Sequence, residues 1–212
     1  MRTIDCQQGT AEWLRARLGV ATASRAGDAL SKLRTGTWAK AAQDYAIELA
    51  FERVNGSAID KAVTVAMSRG SELEPEARAA YEARTGVLVD QMGFALHDTM
   101  QAGASPDGLI GTDGLLEIKC PFDQARIARI WATDDISDYV PQVEWQMWIL
   151  EREWCDVAIY DPRLSHSGMD LHIVRHQMTQ DAYDRLDREV YGFLDLVTNI
   201  ESTLRRKRHE QV

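Results

Sequence analysis

Two carboxylates and a lysine within one short stretch could do chemistry together. Asp107 sits in Ser105-Pro106-Asp107-Gly108, and Glu117 and Lys119 follow in Leu115-Leu116-Glu117-Ile118-Lys119-Cys120-Pro121. On a strand, successive side chains alternate in direction, so Glu117 and Lys119 share one face while Leu116, Ile118 and Cys120 take the other. Asp107 begins the preceding strand, and neighbouring strands lie only about 4.8 Å apart, so Asp107 and Glu117 can converge on one ion. Carboxylates this close repel one another and raise each other's pKa unless a cation neutralises them. Hard oxygen donors with room left for water and phosphate suit Mg2+, and Mn2+ also fits. An ion so held polarises a phosphodiester, activates water and stabilises the leaving oxygen, while an amine beside that water can position it or take its proton. Taken alone, a D-x9-E-x-K spacing equally fits an exposed hairpin with an incidental Glu–Lys pair.

The elements that must position these groups are legible as changes of period. Helical spacing dominates the N-terminal third. Thr10 caps a short helix over Ala11–Leu18, and Thr22 or Ser24 caps another towards Leu30. Longer helices fit Trp38 to Val54, closed by Asn55-Gly56, and Val65 to Arg84, stopped by Gly86. Short runs then follow, broken by Gly, Asp and Pro: Val87–Asp90, Phe94–His97, Gln101–Ala104, Leu109–Gly111 and Leu115–Cys120. They predict a β-meander, with Asp113-Gly114 as a hairpin turn. Helices return at Gln124–Trp131 and Pro141–Glu153, and buried strands fit Asp156–Tyr160 and Leu171–His176. A long amphipathic helix from Asp181 to Leu204, capped by Thr179, closes the chain. The expected class is α/β, a single domain with a central mixed β-sheet flanked by helices. Residues 1–60 are its helical, basic part, 61–178 its catalytic sheet and helices, and 179–212 its closing helix and basic tail.

Composition narrows the function classes. At 212 residues, 45% hydrophobic and 27% charged, the chain is the size of one domain able to bury a full core. No apolar run reaches the roughly 18 residues of a membrane span, and the N-terminus lacks a hydrophobic signal core, so neither membrane insertion nor secretion is expected. Cys6, Cys120 and Cys155 lie far apart and read as free thiols of a reducing cytoplasm, with no C-x-x-C metal site. The net charge of −9 argues against nucleic acid as a partner. Its distribution does not: residues 1–40 hold seven basic residues against three acidic ones, and the remainder seventeen against thirty. That asymmetry fits an anion-binding surface on an acidic body, or a chance excess on a solvated face.

The wider set of motifs resembles the PD-(D/E)xK nuclease superfamily and, within it, the lambda-exonuclease-like (YqaJ-type) viral recombinases. The likeness runs in order through Glu12-Trp13-Leu14-Arg15-Ala16-Arg17 with Thr22-Ala23-Ser24, then Arg69-Gly70 and Glu74. It continues through Ser105-Pro106-Asp107-Gly108, Leu116-Glu117-Ile118-Lys119-Cys120-Pro121-Phe122 and Gln142-Val143-Glu144-Trp145-Gln146-Met147-Trp148, and ends at Tyr160-Asp161-Pro162-Arg163. The resemblance implies that Asp107, Glu117 and the main-chain carbonyl of Ile118 hold the metal, and that Lys119 holds or deprotonates the attacking water. Glu74, otherwise one more acid in the run Glu72, Glu74, Glu76, would complete the metal shell. Arg17, Ser24 and Ser105 would bind the 5′-phosphate of the digested strand. A second pocket arginine is not matched, since Ala125 stands at its position with Arg126 beside it as a substitute. Arg34, in an exposed loop, matches a basic residue suited to prising end base pairs apart, and Gln142 a helical residue supporting the active site. Trp145 and Trp148 read as core.

The function so implied is a Mg2+-dependent 5′→3′ exonuclease. It would degrade one strand of double-stranded DNA from 5′-phosphorylated ends to mononucleotides and leave 3′ single-stranded overhangs for recombination. A ring-shaped homotrimer, a single-strand annealing protein as partner, and the cytoplasm of a bacterial host (or a prophage origin) belong to the same implication. Two alternatives stand beside it: another nuclease of the superfamily, an endonuclease or repair nuclease, and a non-catalytic DNA-end-binding protein with a decayed nuclease fold. A Mg2+-dependent enzyme acting on a small phosphorylated substrate is a third.

Overall fold

The computed structural model describes residues 1–59 and 65–210, so the expected boundary between residues 60 and 61 lies outside the described residues. In chain order the elements are β1 (Arg2–Ile4), α1 (Ala11–Ala16), β2 (Ala21–Thr22), a 3-10 turn (Ala23–Arg25) running into α2 (Ala26–Ala29), α3 (Lys40–Asn55) and α4 (Val65–Thr85). Then come β3 (Phe94–Leu96), β4 (Ala102–Ala104), β5 (Gly108–Ile110), β6 (Gly114–Lys119), α5 (Gln124–Thr133) and α6 (Val140–Leu150). The chain ends with β7 (Trp154–Tyr160), a 3-10 stretch (Pro162–Ser167), β8 (Leu171–Gln177) and α7 (Gln180–Glu210). Local signals set several of these limits. The Thr10 hydroxyl accepts from the Trp13 N–H to start α1, Thr179 does the same for Ala182 at the head of α7, and Gly56 ends α3 with φ +73°.

The α/β class holds, with mixed sheets flanked by helices. The strands divide into two four-stranded sheets, ordered β1-β3-β4-β2 and β5-β6-β7-β8. The run expected as one meander is cut between β4 and β5, where Pro106 has no N–H to carry a ladder onward. Val87–Asp90 forms no strand and contributes a single bridge, Asp90 to Leu109. The hairpin turn also lies earlier than Asp113-Gly114. Gly111 takes the positive φ of +54°, and Gly114 already belongs to β6, where a Cβ would stand 2.3 Å from the Trp154 ring. Both faces of the second sheet are covered. Leu116, Ile118, Ala158 and Tyr160 pack against Ala77 and Tyr81 of α4, whereas Leu115, Cys155, Val157 and Ile159 join the main core with α5, α6 and α7. Helix α6 is buried from Val143 to Leu150, and Trp145 and Trp148 lie in that core.

Candidate active site

The site forms where β5 ends and β6 runs on. β5 pairs with β6 only as far as Leu116, while β7 pairs with β6 along its whole length, so Glu117 to Lys119 leave one strand edge open. Asp107, just before β5, fills that edge, and its Oδ2 accepts from the Ile118 N–H at 2.6 Å. The N–H and C=O of one strand residue point to the same side. The Ile118 carbonyl therefore projects from the same open edge, beside Asp107. The chain can enter this closely because residue 108 is glycine: a Cβ there would lie 2.0 Å from Cγ1 of Val89.

Glu117 is only 2% exposed, which removes the exposed-hairpin alternative. A buried carboxylate must be satisfied, and α6 supplies two amides one turn apart. Glu117 Oε1 accepts from Lys119 Nζ at 2.6 Å and from Gln142 Nε2 at 2.5 Å, and its Oε2 accepts from Gln146 Nε2 at 2.6 Å. Gln142 also accepts from Lys119 Nζ through its Oε1 at 2.9 Å, so one amide orients acid and amine together. Burial pulls the Lys119 pKa down, but the Glu117 and Asp107 charges pull harder, and the ammonium titrates above the usual lysine value. Tyr139 places its ring 5.4 Å from that nitrogen.

Asp107 shows the opposite strain. Burial, then the charges of Glu117 and Glu74, push its carboxyl well above the ordinary aspartate range. Glu74 comes from α4, the helix covering the other face of β6, and is paired with Arg78 one turn on. Asp107, Glu117 and the Ile118 carbonyl, with Glu74 opposite, make a hard-oxygen donor set whose mutual repulsion a divalent ion would relieve, and in that sense the residues fit Mg2+ or Mn2+. Among the described residues, no three His, Cys, Asp or Glu side chains stand around one metal position. Glu117 is turned to Lys119, and Glu74 to Arg78.

A cationic pocket adjoins this edge. The Arg17 guanidinium lies 4.0 Å above the Trp13 ring and donates to Ser24 Oγ at 3.2 Å and to Thr22 Oγ1 at 3.4 Å. Contrary to the spacing, neither hydroxyl caps a helix; Thr22 precedes the 3-10 turn without a side-chain cap, and both face Arg17 instead. Trp13 in turn donates from Nε1 to Ser105 Oγ at 2.9 Å, two residues before Asp107. Arg17, Ser24 and Ser105 are thus joined through Trp13. Among the described residues no carboxylate pairs with Arg17, and burial lowers its pKa to about 10. A cavity of about 910 Å³ opens alongside, with Trp13, Glu74 and Asp107 in its wall.

Arg126 and Arg34 stand apart from that cluster. Arg126 pairs with Asp138 at 2.9 Å and lies over the Tyr139 ring at 4.7 Å, which places it on the Lys119 side of the site rather than with Arg17. Arg34 sits at the exposed tip of the turn bridged by Lys32 and Trp38. Sequence reasoning gave Gln146, within the motif of Gln142, no role of its own, and it missed Arg78. Each lies four residues after an identified site residue on a helix, Gln142 and Glu74, and that one-turn spacing was the available signal. It also missed the anchor of the strand end: Arg69 donates to the Cys120 and Pro121 carbonyls and, like Arg163, to buried Asp161.

A family model described as YqaJ-like viral recombinase domain matches residues 12–153. Two crystal structures of LHK-Exo, an alkaline exonuclease from Laribacter hongkongensis, one of them in complex with dAMP, are each 37% identical. Each aligns with a TM-score of 0.85 over 96% of this chain and 100% of the other. A phage-related exonuclease from Haemophilus somnus 129PT is 13% identical, with a TM-score of 0.70 over 87% of this chain and 96% of its own, and shares the fold. No curated protein matches the chain.

Proposed function

Because this chain belongs to the YqaJ-like viral recombinase domain family, we propose that it is a Mg2+-dependent 5′→3′ exonuclease acting on the ends of double-stranded DNA. It releases mononucleotides from one strand and leaves a 3′ single-stranded overhang for recombination by strand annealing. The observation that carries the reading is the connection of Arg17, a guanidinium without a carboxylate partner among the described residues, through Trp13 and Ser105 to Asp107. A phosphate gripped by Arg17 and Ser24 leaves the adjoining phosphodiester near Asp107 and Glu117. The alkaline exonuclease activity named for LHK-Exo supports the same class of reaction.

Asp107, Glu117 and the Ile118 carbonyl would hold the ion, with Glu74 on the opposite side. When bound, Mg2+ supplies Lewis-acid polarisation of the phosphate and of a water. Lys119, kept protonated by Glu117, orients that water or shields charge on the phosphate, and Gln142 keeps its ammonium aimed. Gln146 keeps Glu117 from rotating away. Arg126, across Tyr139 from Lys119 and apart from Arg17, would meet the phosphate backbone on the Lys119 side instead of filling the unmatched pocket position, and Arg34 contacts the end base pairs. The acting form is a ring-shaped homotrimer with the basic N-terminal part towards the DNA, which would also make digestion processive; a single-strand annealing protein receives the product in the cytoplasm of a bacterial host. Incubating linear duplexes bearing 5′-phosphate or 5′-hydroxyl ends, with and without Mg2+, tests the proposal. Mononucleotides released only with Mg2+, and faster from phosphorylated ends, are expected; internal cuts, or no hydrolysis at all, would overturn it.

A further inference from the structure

We propose that Arg78 is a positioning residue of the metal site, holding Glu74 against the main chain at Asp107 so that Glu74 faces the ion. The inference rests on the metal reading of Asp107, Glu117 and Glu74. An ordinary ion pair one turn apart on a helix lies in solvent and touches nothing else. This one does not. The Arg78 side chain is 13% exposed, and besides Glu74 Oε1 its Nη2 donates to the Asp107 carbonyl oxygen at 3.1 Å. With the Gln91 amide turned so that its oxygen faces the guanidinium, that oxygen accepts from Nη1 at 2.7 Å and from Nη2 at 3.1 Å.

The fork therefore ties three segments together: α4 through Glu74, the loop before β3 through Gln91, and the entry to β5 at Asp107. Charge gives the reason. The guanidinium reaches both Glu74 and the Asp107 main chain, and Lys119 pairs with Glu117 on the adjoining strand, so three acids share one corner. Lys119 offsets Glu117, and Arg78 does the same for Glu74. Without Arg78, repulsion would turn Glu74 out towards the cavity, since its own side chain is 30% exposed and Arg78 is its bonding partner on α4 among the described residues. A lysine keeps the charge but cannot bridge Glu74, the carbonyl and Gln91 at once.

The test is Mn2+ uptake by the full chain without DNA, followed by loss of the free-ion EPR signal, with Mg2+ competition. Arg78→Lys is expected to weaken affinity roughly tenfold, the lower end for losing a group that orients a metal ligand. In a Glu74→Gln background Arg78→Lys should cost nothing further, because its effect runs through Glu74. Unchanged affinity in Arg78→Lys, or the same loss with and without Glu74→Gln, would overturn the proposal. If Arg78→Lys does not fold, Gln91→Leu removes the far contact of the fork and should give a smaller loss that again vanishes with Glu74→Gln; no loss refutes the idea. A wild type that binds no Mn2+ refutes the metal site itself, a different failure.

Discussion

Replacing Arg17 with alanine is the sharpest perturbation of the proposed end recognition. Its guanidinium stacks on Trp13, touches Ser24 and Thr22 through Nη2, and has no acidic partner among the described residues. Truncation therefore strands no buried carboxylate, and the loss should fall on the phosphate rather than on the fold. A hydrogen bond to a charged group contributes about 1.5–3 kcal/mol, and roughly 1.4 kcal/mol is a factor of ten. The preference for 5′-phosphate over 5′-hydroxyl ends should thus shrink by roughly 10- to 100-fold in Arg17→Ala. Arg17→Lys should fall between, since it keeps a charge and loses the planar fork and the stacking. The pH dependence is also set. The cation is present below about 10 in the free protein, and a bound phosphate holds the proton further up, so the preference should stay flat across neutral pH. Initial rates on matched duplexes differing only at the 5′ end measure all of this. If Arg17→Ala keeps the wild-type ratio, or the wild type shows no preference, the assignment of this pocket is wrong.

Lys119→Ala should lose about 100-fold or more of the hydrolysis rate, the range for removing a preorganised donor aimed at developing charge, while still shifting duplex DNA in a gel; a variant as fast as wild type would refute the mechanism. Gly108→Ala should lower the urea midpoint by the equivalent of about 1–3 kcal/mol of overpacking, because its Cβ meets Val89 at 2.0 Å. Pairing it with Val89→Ala should recover part of the loss, and additive losses would mean the contact is not the cause. Asp161 is 1% exposed, and its pKa is held below the usual 3.8 chiefly by the hydrogen bond from Arg163. Its stabilisation is present above the unfolded-state pKa and lost as pH falls through the lower folded value. Asp161→Asn should therefore cost about 1.5–3 kcal/mol at neutral pH, and the gap to wild type should close below pH 3.8; a gap that persists in acid would contradict this.

Much of the frame was legible residue by residue. The caps at Thr10 and Thr179 and the stop at Gly56 act within four residues of themselves, so spacing alone located three helix ends. The alternation along β6 correctly put Glu117 and Lys119 on one face and Leu116 and Ile118 on the other. Where expectation failed, a remote group intervened. Asp113-Gly114 reads as a turn until Trp154, forty residues on, occupies the space a side chain at 114 would need. Thr22 and Ser24 read as caps until Arg17 claims their hydroxyls.

The sequence by itself determined the donor types: two acids and a lysine at strand spacing, and basic residues gathered in the first forty positions. Their state was decided only in the folded molecule. Glu117 is a buried, fully bonded carboxylate because α6 brings Gln142 and Gln146 to it from 25 and 29 residues away. Asp107 stands beside the Ile118 carbonyl because β5 stops short of β6, and Arg17 is available to an anion because no acid among the described residues pairs with it. Alternation and capping depend on bonds between near neighbours in the chain. Ionisation and availability depend on desolvation and on charges brought within a few ångströms, which chain order does not specify.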